Sequence, residues 1–319
     1  MTENKKYRFD TIILGAGPAG LSAALYAKRG NAKVAIIDTS MAGGQPSNYM
    51  EIENYPGFVN IEGFELAQKF EEHAMKFGVE KFEMQEIQKV DLTSKIKEIH
   101  TLEGIFYADC VIIATGAQAK KLGIAGEKEF IGRGVSYCAV CDGAFYRGKT
   151  VAVIGGGNAA VEEACYLTKF ADKVYIIHRR DSLRADRIVQ ERAKENEKIE
   201  FVYDTIPLEI KGTETVNKLI VRNVKTNETN ELNVDGVFPY IGFAPNVEHF
   251  SGQLQQNEHG FIITDNCMNT SLKGVWAAGD VRVTPLRQVI TACADGAIAA
   301  CEMIKYLDET KTKVLAEQN

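Results

Sequence analysis

Cys138 and Cys141, in Tyr137-Cys138-Ala139-Val140-Cys141-Asp142-Gly143, are the one pair of cysteines in the chain with two residues between them. Such a spacer lets the sulfurs bond to each other and can depress one thiol's pKa, which suits dithiol–disulfide exchange. Asp142 follows directly and sets a carboxyl where a proton must be given or taken as the neighbouring thiol leaves or attacks. Zinc would call for a second C-x-x-C or for histidines at matching spacing, and neither is present, so no metal site is expected. Two buried cysteines without chemistry remain open on spacing alone.

The electrons such a pair needs point to nucleotide sites, and two glycine fingerprints supply them. Gly15-Ala16-Gly17-Pro18-Ala19-Gly20 is a G-x-G-x-x-G placed after an apolar run and before an alanine-rich one. Its first glycine allows a tight turn, the second lets backbone N–H groups approach a pyrophosphate at a helix N-terminus, and the third permits close helix–strand packing. Asp38 lies 18 residues past Gly20, where a carboxylate accepts bonds from ribose hydroxyls. The second fingerprint, Gly155-Gly156-Gly157-Asn158-Ala159-Ala160, has alanine in the third glycine's place. The same count of 18 reaches His178, which reads as a strand-end residue, followed by Arg179 and Arg180, with Arg184 one turn further on. Guanidinium groups there hold a 2′-phosphate through charge-assisted bonds, so this site reads as NADP(H) rather than NAD(H). One acid-ended and one arginine-ended site assign FAD to the first and NADPH to the second, since hydride chemistry needs a donor and an acceptor. Beside them, flavin-linked disulfide exchange is the best reading of the cysteine pair.

The elements that must carry these residues repeat. DTIILG (10–15), a helix from Ala19 to Arg29 and KVAIID (33–38) form one βαβ unit. TVAVIG (150–155), a helix over about Ala159 to Phe170 and KVYIIH (173–178) form another. At the offset of 140 residues that relates Gly15 to Gly155, Gly17, Ala19, Ala24, Tyr26, Lys33, Val34, Ile36 and Ile37 also meet identical residues. VIIATGA (111–117), YIGFAPN (240–246) and VWAAGD (275–280) read as further short strands ending in turns. The fold class is α/β, with two Rossmann-like dinucleotide-binding domains. VWAAGD and the helix after it need the first sheet as a partner, so the NADPH domain (119–247) is expected as an insertion in a discontinuous FAD domain (1–118 and 248–319). The polar tail from about Thr310 is expected to fray.

Composition sets the class and excludes others. The chain has 319 residues, 45% hydrophobic and 25% charged, with a formal net charge of −6, which suits neither nucleic acid nor an anionic membrane as a partner. The N-terminal MTENKKYRFD is polar and is expected to run straight into the first strand rather than act as a secretory signal, and no apolar run is long enough for a membrane span. Seven cysteines, at 110, 138, 141, 165, 267, 293 and 301, are an odd number and mostly scattered singly, so a reducing cytoplasm is the expected setting.

Through GAGPAGLSAALYA, AGGQ (42–45), ENYPGF (53–58), ATGA (114–117), CAVCDG, GGGNAAVEEA, HRRDSLRA and AAGDV…RQVITACADG, in that order, the chain from about residue 8 to 307 resembles bacterial low-molecular-weight thioredoxin reductases. The resemblance implies a homodimer in which NADPH reduces FAD, FAD reduces a Cys138–Cys141 disulfide, and the dithiol reduces thioredoxin or a thioredoxin-like protein. Flavin contacts are then expected from Gly15, Gly17, Pro18, Ala19, Gly20, Asp38, Gly44, Gln45, Asn54, the backbone near Val90, Thr115 and Gly116. Gly279, Asp280, Arg287, Gln288 and Val289 complete them, with Asp280 on the ribityl chain and Gln288 at the isoalloxazine ring. NADPH is expected on Gly155, Gly157, Asn158, Ala159, Arg179, Arg180 and Arg184. Because the cysteine pair lies in the NADPH domain, the resemblance further implies that one domain rotates against the other in each cycle. Lys69 and Phe77 resemble a basic and an aromatic position that help hold thioredoxin, together with Phe145. The sequence departs from the family at Ala144, where an aromatic is frequent, and at Phe243, where histidine is common.

Overall fold

The structure, a computed structural model, describes residues 5–48, 52 and 54–317. The chain forms two compact units, one of Met1–Gln118 with Ala244–Asn319 and one of Ala119–Phe243. The second crossing thus falls between Phe243 and Ala244, a little before the expected 247/248.

In the first unit, strand Lys5–Leu14 has Val34–Ile37 and then Glu80–Phe82 on one side and Gly104–Ile113 on the other, all parallel. Gly104–Ile113 divides its far edge between two partners. Its first half pairs antiparallel with Lys97–Thr101, and its last three residues pair parallel with Val275–Ala277. Ile87–Asp91 completes the seven-stranded sheet beyond Lys97–Thr101. Val34–Ile37 is buried at every position, as a parallel strand covered on both faces should be. Lys5–Arg8 is largely exposed, so the strand begins earlier than DTIILG because pairing with Gly104–Tyr107, not burial, holds it.

Strand alternation sends side chains to two cores. Ile13, Ile36, Ile112 and Trp276 meet helix Pro18–Arg29 and the closing helix Val289–Glu317 through Ala23, Ala27, Ala299 and Met303. Ile12, Leu14, Ile37, Val111, Ile113 and Val275 fill the opposite face. The closing helix continues to Glu317, into the tail that was expected to fray.

In the second unit, Ile199–Val202, Lys173–Ile177, Thr150–Gly155 and Gly236–Tyr240 form a four-stranded parallel sheet. Helices Asn158–Leu167 and Arg187–Lys194 cover one face. The other face carries Ala152, Ile154 and Val237 against Ile210, Leu219 and Val221 of a three-stranded antiparallel sheet, Thr205–Gly212, Val216–Asn223 and Thr229–Asn233. The repeat is kept down to register, with Leu14 opposite Ile37 in the first unit and Ile154 opposite Ile177 in the second.

Helix Asn158–Leu167 carries one misfit. Glu163 Oε2 is buried with no hydrogen-bond partner among the described residues. Burial, and then the Glu162 charge, push the Glu163 carboxyl up to about 7. A carboxyl raised in the folded state keeps its proton while the unfolded chain loses one, so stability falls as pH rises from about 4.5 to about 7 and stays lowered above. Glu163→Gln should therefore match the parent near pH 4 and be more stable by on the order of 3 kcal/mol at pH 8. Thermal melts of both proteins across that range check it, and a difference independent of pH rejects it.

Candidate functional site

The parallel strands of the first sheet all end on one side, at Leu14, Ile37, Ile113 and Ala277, where open α/β sheets take their ligands. Gly15 has φ +106°, and a Cβ there would stand 2.3 Å from the Ala114 carbonyl oxygen. A Cβ on Gly20 would stand 1.9 Å from the Gly15 carbonyl oxygen, so helix Pro18–Arg29 starts hard against the strand end. Gly17 caps that helix without a side-chain hydrogen bond, leaving the N–H groups of its first turn for an anion. Gly44, at φ +63°, brings its loop within 3.0 Å of the Gly17 Cα, measured from the place of a Cβ, and Gly43 N donates to Ala16 O at 2.9 Å. Gln45 opens the 3-10 turn that follows.

Asp38 does more than await a ribose. Its Oδ2 accepts the Ala16 N–H at 2.6 Å, while its Oδ1 accepts Ser40 N and Ser40 Oγ at 2.8 and 2.9 Å. The carboxylate thereby shapes the glycine turn and keeps lone pairs for hydroxyls. The backbone delivered beside it is that of Gln85, whose N–H donates to Asp38 O at 2.9 Å. Val90, the expected contact, is not brought to this turn. It lies on the outer strand Ile87–Asp91, and its carbonyl accepts Gln253 Nε2 at 2.8 Å. The expectation came from the resemblance, and the hydrogen bonds place Gln85 rather than Val90 beside Asp38.

Asn54 Nδ2 donates to Gln288 Oε1 at 3.0 Å, joining two expected flavin contacts that are far apart in sequence. Beside them Val289 opens the closing helix and packs on Ile52, Ile61 and Leu66. Tyr55, hydrogen-bonded to Cys293, is pushed up to about 12 by burial and then by that neighbour. Thr115 Oγ1 donates to Asn246 O at 2.6 Å, and Asn246 Nδ2 returns a bond to Thr115 O at 2.8 Å, next to Gly116 at φ +67°. Burial raises the Asp280 carboxyl, opposed by the Arg287 guanidinium and aided by Asp295. Arg287 lies over the Phe261 ring at 4.2 Å, and its Nε is buried with no partner among the described residues. An uncapped helix, a glycine cradle and an orphaned guanidinium N–H fit a flavin dinucleotide.

The second unit repeats the turn with another charge. A Cβ on Gly155 would stand 2.3 Å from Tyr240 O, whereas Gly157 faces open space and caps helix Asn158–Leu167 without a side-chain bond. Asn158 departs from expectation in that its amide is already engaged, Nδ2 donating to Asp186 Oδ2 at 2.7 Å and Oδ1 accepting Asp186 N at 2.6 Å. Its backbone and that of Ala159 are what the helix start offers a pyrophosphate. Gly156 rests on the His178 ring, 2.4 Å from Nδ1 at the place of a Cβ. Burial, then Arg184, Arg179 and Arg180, lower the His178 pKa, keeping the imidazole neutral. Arg184 N and Ala185 N donate to Gly156 O at 2.6 and 3.0 Å, folding Arg184 back towards the glycine turn. Arg179, Arg180 and Arg184 are exposed, and none is ion-paired among the described residues.

Cys138 is disulfide-bonded, while Cys110, Cys165, Cys267, Cys293 and Cys301 are free. The Cys141 side chain lies outside the described residues. Ser136 Oγ accepts Cys138 N at 3.1 Å, Asp142 N donates to Cys138 O at 3.2 Å, and Ala139 N donates to the Tyr240 hydroxyl at 2.9 Å. Tyr240 is also the register partner of Gly155, so one residue ties the cysteine segment to the nucleotide turn. Asp142 is half-buried, and Tyr146 is pushed up to about 12 by burial, then by Asp142 and Asp235. Burial raises the thiols of Cys110, Cys293 and Cys165, which leaves them protonated and unreactive at neutral pH.

Of the expected docking residues, Phe145 is 74% and Phe77 40% exposed, and Lys69 pairs with Glu65 at 3.2 Å. Ala144 is exposed as well. Among the described residues no group of three or more His, Cys, Asp or Glu could hold a metal ion, and no helix is long and apolar enough to cross a membrane.

The family profile of pyridine nucleotide-disulphide oxidoreductases matches residues 9–296. The thioredoxin reductase of Bacillus subtilis (strain 168) is 47% identical over 310 residues, which cover 97% of each chain. Among solved structures, Lactococcus lactis thioredoxin reductase (FR conformation) superposes with a TM-score of 0.90 at 46% identity, covering 94% of this chain and 99% of that one. T. acidophilum thioredoxin reductase gives 0.86 at 35% identity, covering 93% and 98%.

The glycine geometry can be tested without ligand. Alanine inside a helix normally gains about 1 kcal/mol over glycine. Gly20→Ala should instead destabilise the apoprotein by about 1–3 kcal/mol, because its Cβ meets the Gly15 carbonyl. Gly157→Ala, in open space, should leave the apoprotein melt unchanged. Equal melts for the two variants would remove the steric argument.

Proposed function

The chain belongs to the pyridine nucleotide-disulphide oxidoreductase family, and from that premise we infer that it is an NADPH-dependent, FAD-containing thioredoxin-disulfide reductase. The observation that carries this reading is where the chain places its one described disulfide-bonded cysteine. Cys138 is disulfide-bonded, five other cysteines are free, and the bonded one is tied through Tyr240 to an arginine-ended nucleotide turn. The net reaction is NADPH + H⁺ + thioredoxin disulfide → NADP⁺ + thioredoxin dithiol. Two electrons and two protons reach the partner's sulfurs.

FAD, when bound, supplies two-electron exchange between nicotinamide and disulfide. Gly15, Gly17, Pro18, Ala19 and Gly20 would hold its pyrophosphate on the helix N-terminus, with Asp38 on the adenosine ribose. Gly44 and Gln45 would border the pyrophosphate, and Gly279 and Asp280 the ribityl chain. Asn54, Thr115, Gly116, Arg287, Gln288 and Val289 would wall the ring end. In the second unit, Gly155, Gly157, Asn158 and Ala159 would hold the NADPH pyrophosphate. Arg179, Arg180 and Arg184 would neutralise its 2′-phosphate, and their lack of ion pairs supports this use.

Cys141 is assigned the exchange with flavin, Cys138 the attack on the partner disulfide, and Asp142 the proton that a leaving thiolate takes up. The segments Ala117–Ala119 and Phe243–Pro245, where the chain crosses between units, are the hinge across which one domain rotates between nicotinamide and thiol steps. Exposed Phe145 and Phe77, with Lys69, fit the docking of a thioredoxin-like protein. A homodimer and a cytoplasmic setting belong to the same reading, the latter supported by five free thiols.

NADPH-dependent reduction of thioredoxin, followed by titration of the thiols produced, tests the function directly. Specificity should reside in the arginines. Each charged hydrogen bond contributes roughly 1.5–3 kcal/mol, so Arg179→Ala with Arg180→Ala should lower kcat/KM for NADPH at least about 10²-fold and erase its advantage over NADH. Flavin content should be unaffected, and equal efficiency of the unmodified enzyme with both nucleotides would sink the assignment. Cys138→Ser should show a broad long-wavelength charge-transfer absorbance that Cys141→Ser lacks. Both should retain bleaching of the flavin band by NADPH and lose thioredoxin turnover. Charge-transfer absorbance in Cys141→Ser instead would reverse the two roles.

A further inference from the structure

The closing helix carries a buried ion pair that the reading above does not use. Asp295 is 9% exposed, and its Oδ2 accepts both Arg282 Nη1 at 2.9 Å and the Gly279 N–H at 3.1 Å. Arg282 is fixed in turn, Nε donating to Thr264 Oγ1 at 2.8 Å and the backbone N–H to Gly279 O at 3.2 Å. The turn from Gly279 to Arg282 is thus closed at both ends by one carboxylate and one guanidinium.

That turn has no room to drift. Gly279 has φ +77°, and a Cβ there would stand 2.9 Å from the Ala19 Cβ and 3.5 Å from the Ala292 Cβ. Asp295's neighbour Gly296 would place a Cβ 2.0 Å from the Ala19 carbonyl oxygen. Closing helix, first turn of helix Pro18–Arg29 and the Gly279–Asp280 peptide therefore meet at one point, and Asp295 is the charged group there. Buried ion pairs are weak sources of stability, because desolvation offsets much of the attraction. A pair at this junction has a different use, to fix a backbone whose position matters.

We propose that Asp295 and Arg282 are positioning residues for FAD. Held through the Gly279 N–H, the turn presents Asp280 and its own backbone to the ribityl chain while the same helix end sets Ala19 under the pyrophosphate. The proposal rests on the FAD assignment above. It adds two residues that touch no cofactor and act through Gly279. Removing the Asp295 charge takes from Arg282 its close ion pair, leaving only the more distant charge of Asp265, and frees the turn to move.

The test is the dissociation constant of FAD from apoprotein, read by flavin fluorescence, alongside the visible spectrum of bound flavin and the melt of each apoprotein. Asp295→Asn should raise the FAD dissociation constant tenfold or more and shift the flavin band. Arg282→Lys, which keeps the counterion, should recover most of the affinity. Thr264→Val, which removes only the hydroxyl bond to Arg282, should raise the constant about threefold with the apoprotein still folded, and it serves if Asp295→Asn does not fold. FAD affinity within twofold of the parent in every folded variant, whatever the melts do, overturns the proposal. A parent protein that holds no FAD overturns the cofactor assignment instead.

Discussion

Where strand Lys5–Leu14 turns into helix Pro18–Arg29, the Gly15 carbonyl stands 1.9 Å from the point a Cβ on Gly20 would occupy. Much else in the first unit depends on that absence of a side chain. It lets the helix start at the strand's end, so the first-turn N–H groups lie in the crevice between parallel strands rather than out in solvent. Gly296 makes the same approach to Ala19 from the closing helix, which is how residues beyond 278 come to share a site with residue 15. A helix N-terminus attracts anions wherever it is, but here packing forces it to the place where the sheet is open.

The second unit shows what the backbone alone leaves undecided. Gly155 repeats the approach of Gly15, meeting Tyr240 O as Gly15 meets Ala114 O, although Ala160 carries a Cβ where Gly20 has none, and strand registers correspond residue for residue. What changes is the group at the end of the second strand. Asp38 reaches back to Ala16 N and organises the turn as an anion would. His178 occupies the equivalent place as a buried neutral ring under Gly156, and the cations are carried past it to the surface. The two turns thus share one backbone frame and differ in the charge that the end of the second strand displays.

Much of this was legible in the sequence because it is local. The glycine spacings, the acid at 38 and the arginines at 179 and 180 are each set by one turn and its flanking strand. The 140-residue repeat carried the same logic across the chain. What was not legible depends on pairing at a distance. Lys97–Thr101 and Ile87–Asp91 alternate polar and apolar residues weakly, and Thr205–Gly212, first strand of the second unit's antiparallel sheet, is mostly half-buried. Val90 lies on one of these strands, and only the sheet order shows that its carbonyl accepts Gln253. Asn158 was legible as part of the second glycine turn but not as the partner of Asp186. Asp295 gave no signal at all, because an aspartate in a helix reads as solvated until the Gly279 peptide and Arg282 are seen against it.

The cysteines show how burial sorts residues that look alike in sequence. Cys110, Cys165 and Cys293 are raised by desolvation and stay thiols, although Cys293 lies one turn from Val289 and beside Tyr55 in the first unit. Cys138 sits instead just before the short helical turn Ala139–Asp142, in a segment anchored by Ser136 and Tyr240 in the second unit. The bonded cysteine and the first glycine turn belong to different units, which the chain joins by two links. Those links are short and stiffened from both sides. Asn246 is bonded to Thr115 and Gly116 in the first unit, and Lys120 N donates to Gly242 O in the second. Between these ties lie two crossing strands that pair with each other, and each is entered through a glycine at positive φ, Gly116 at +67° and Gly242 at +110°.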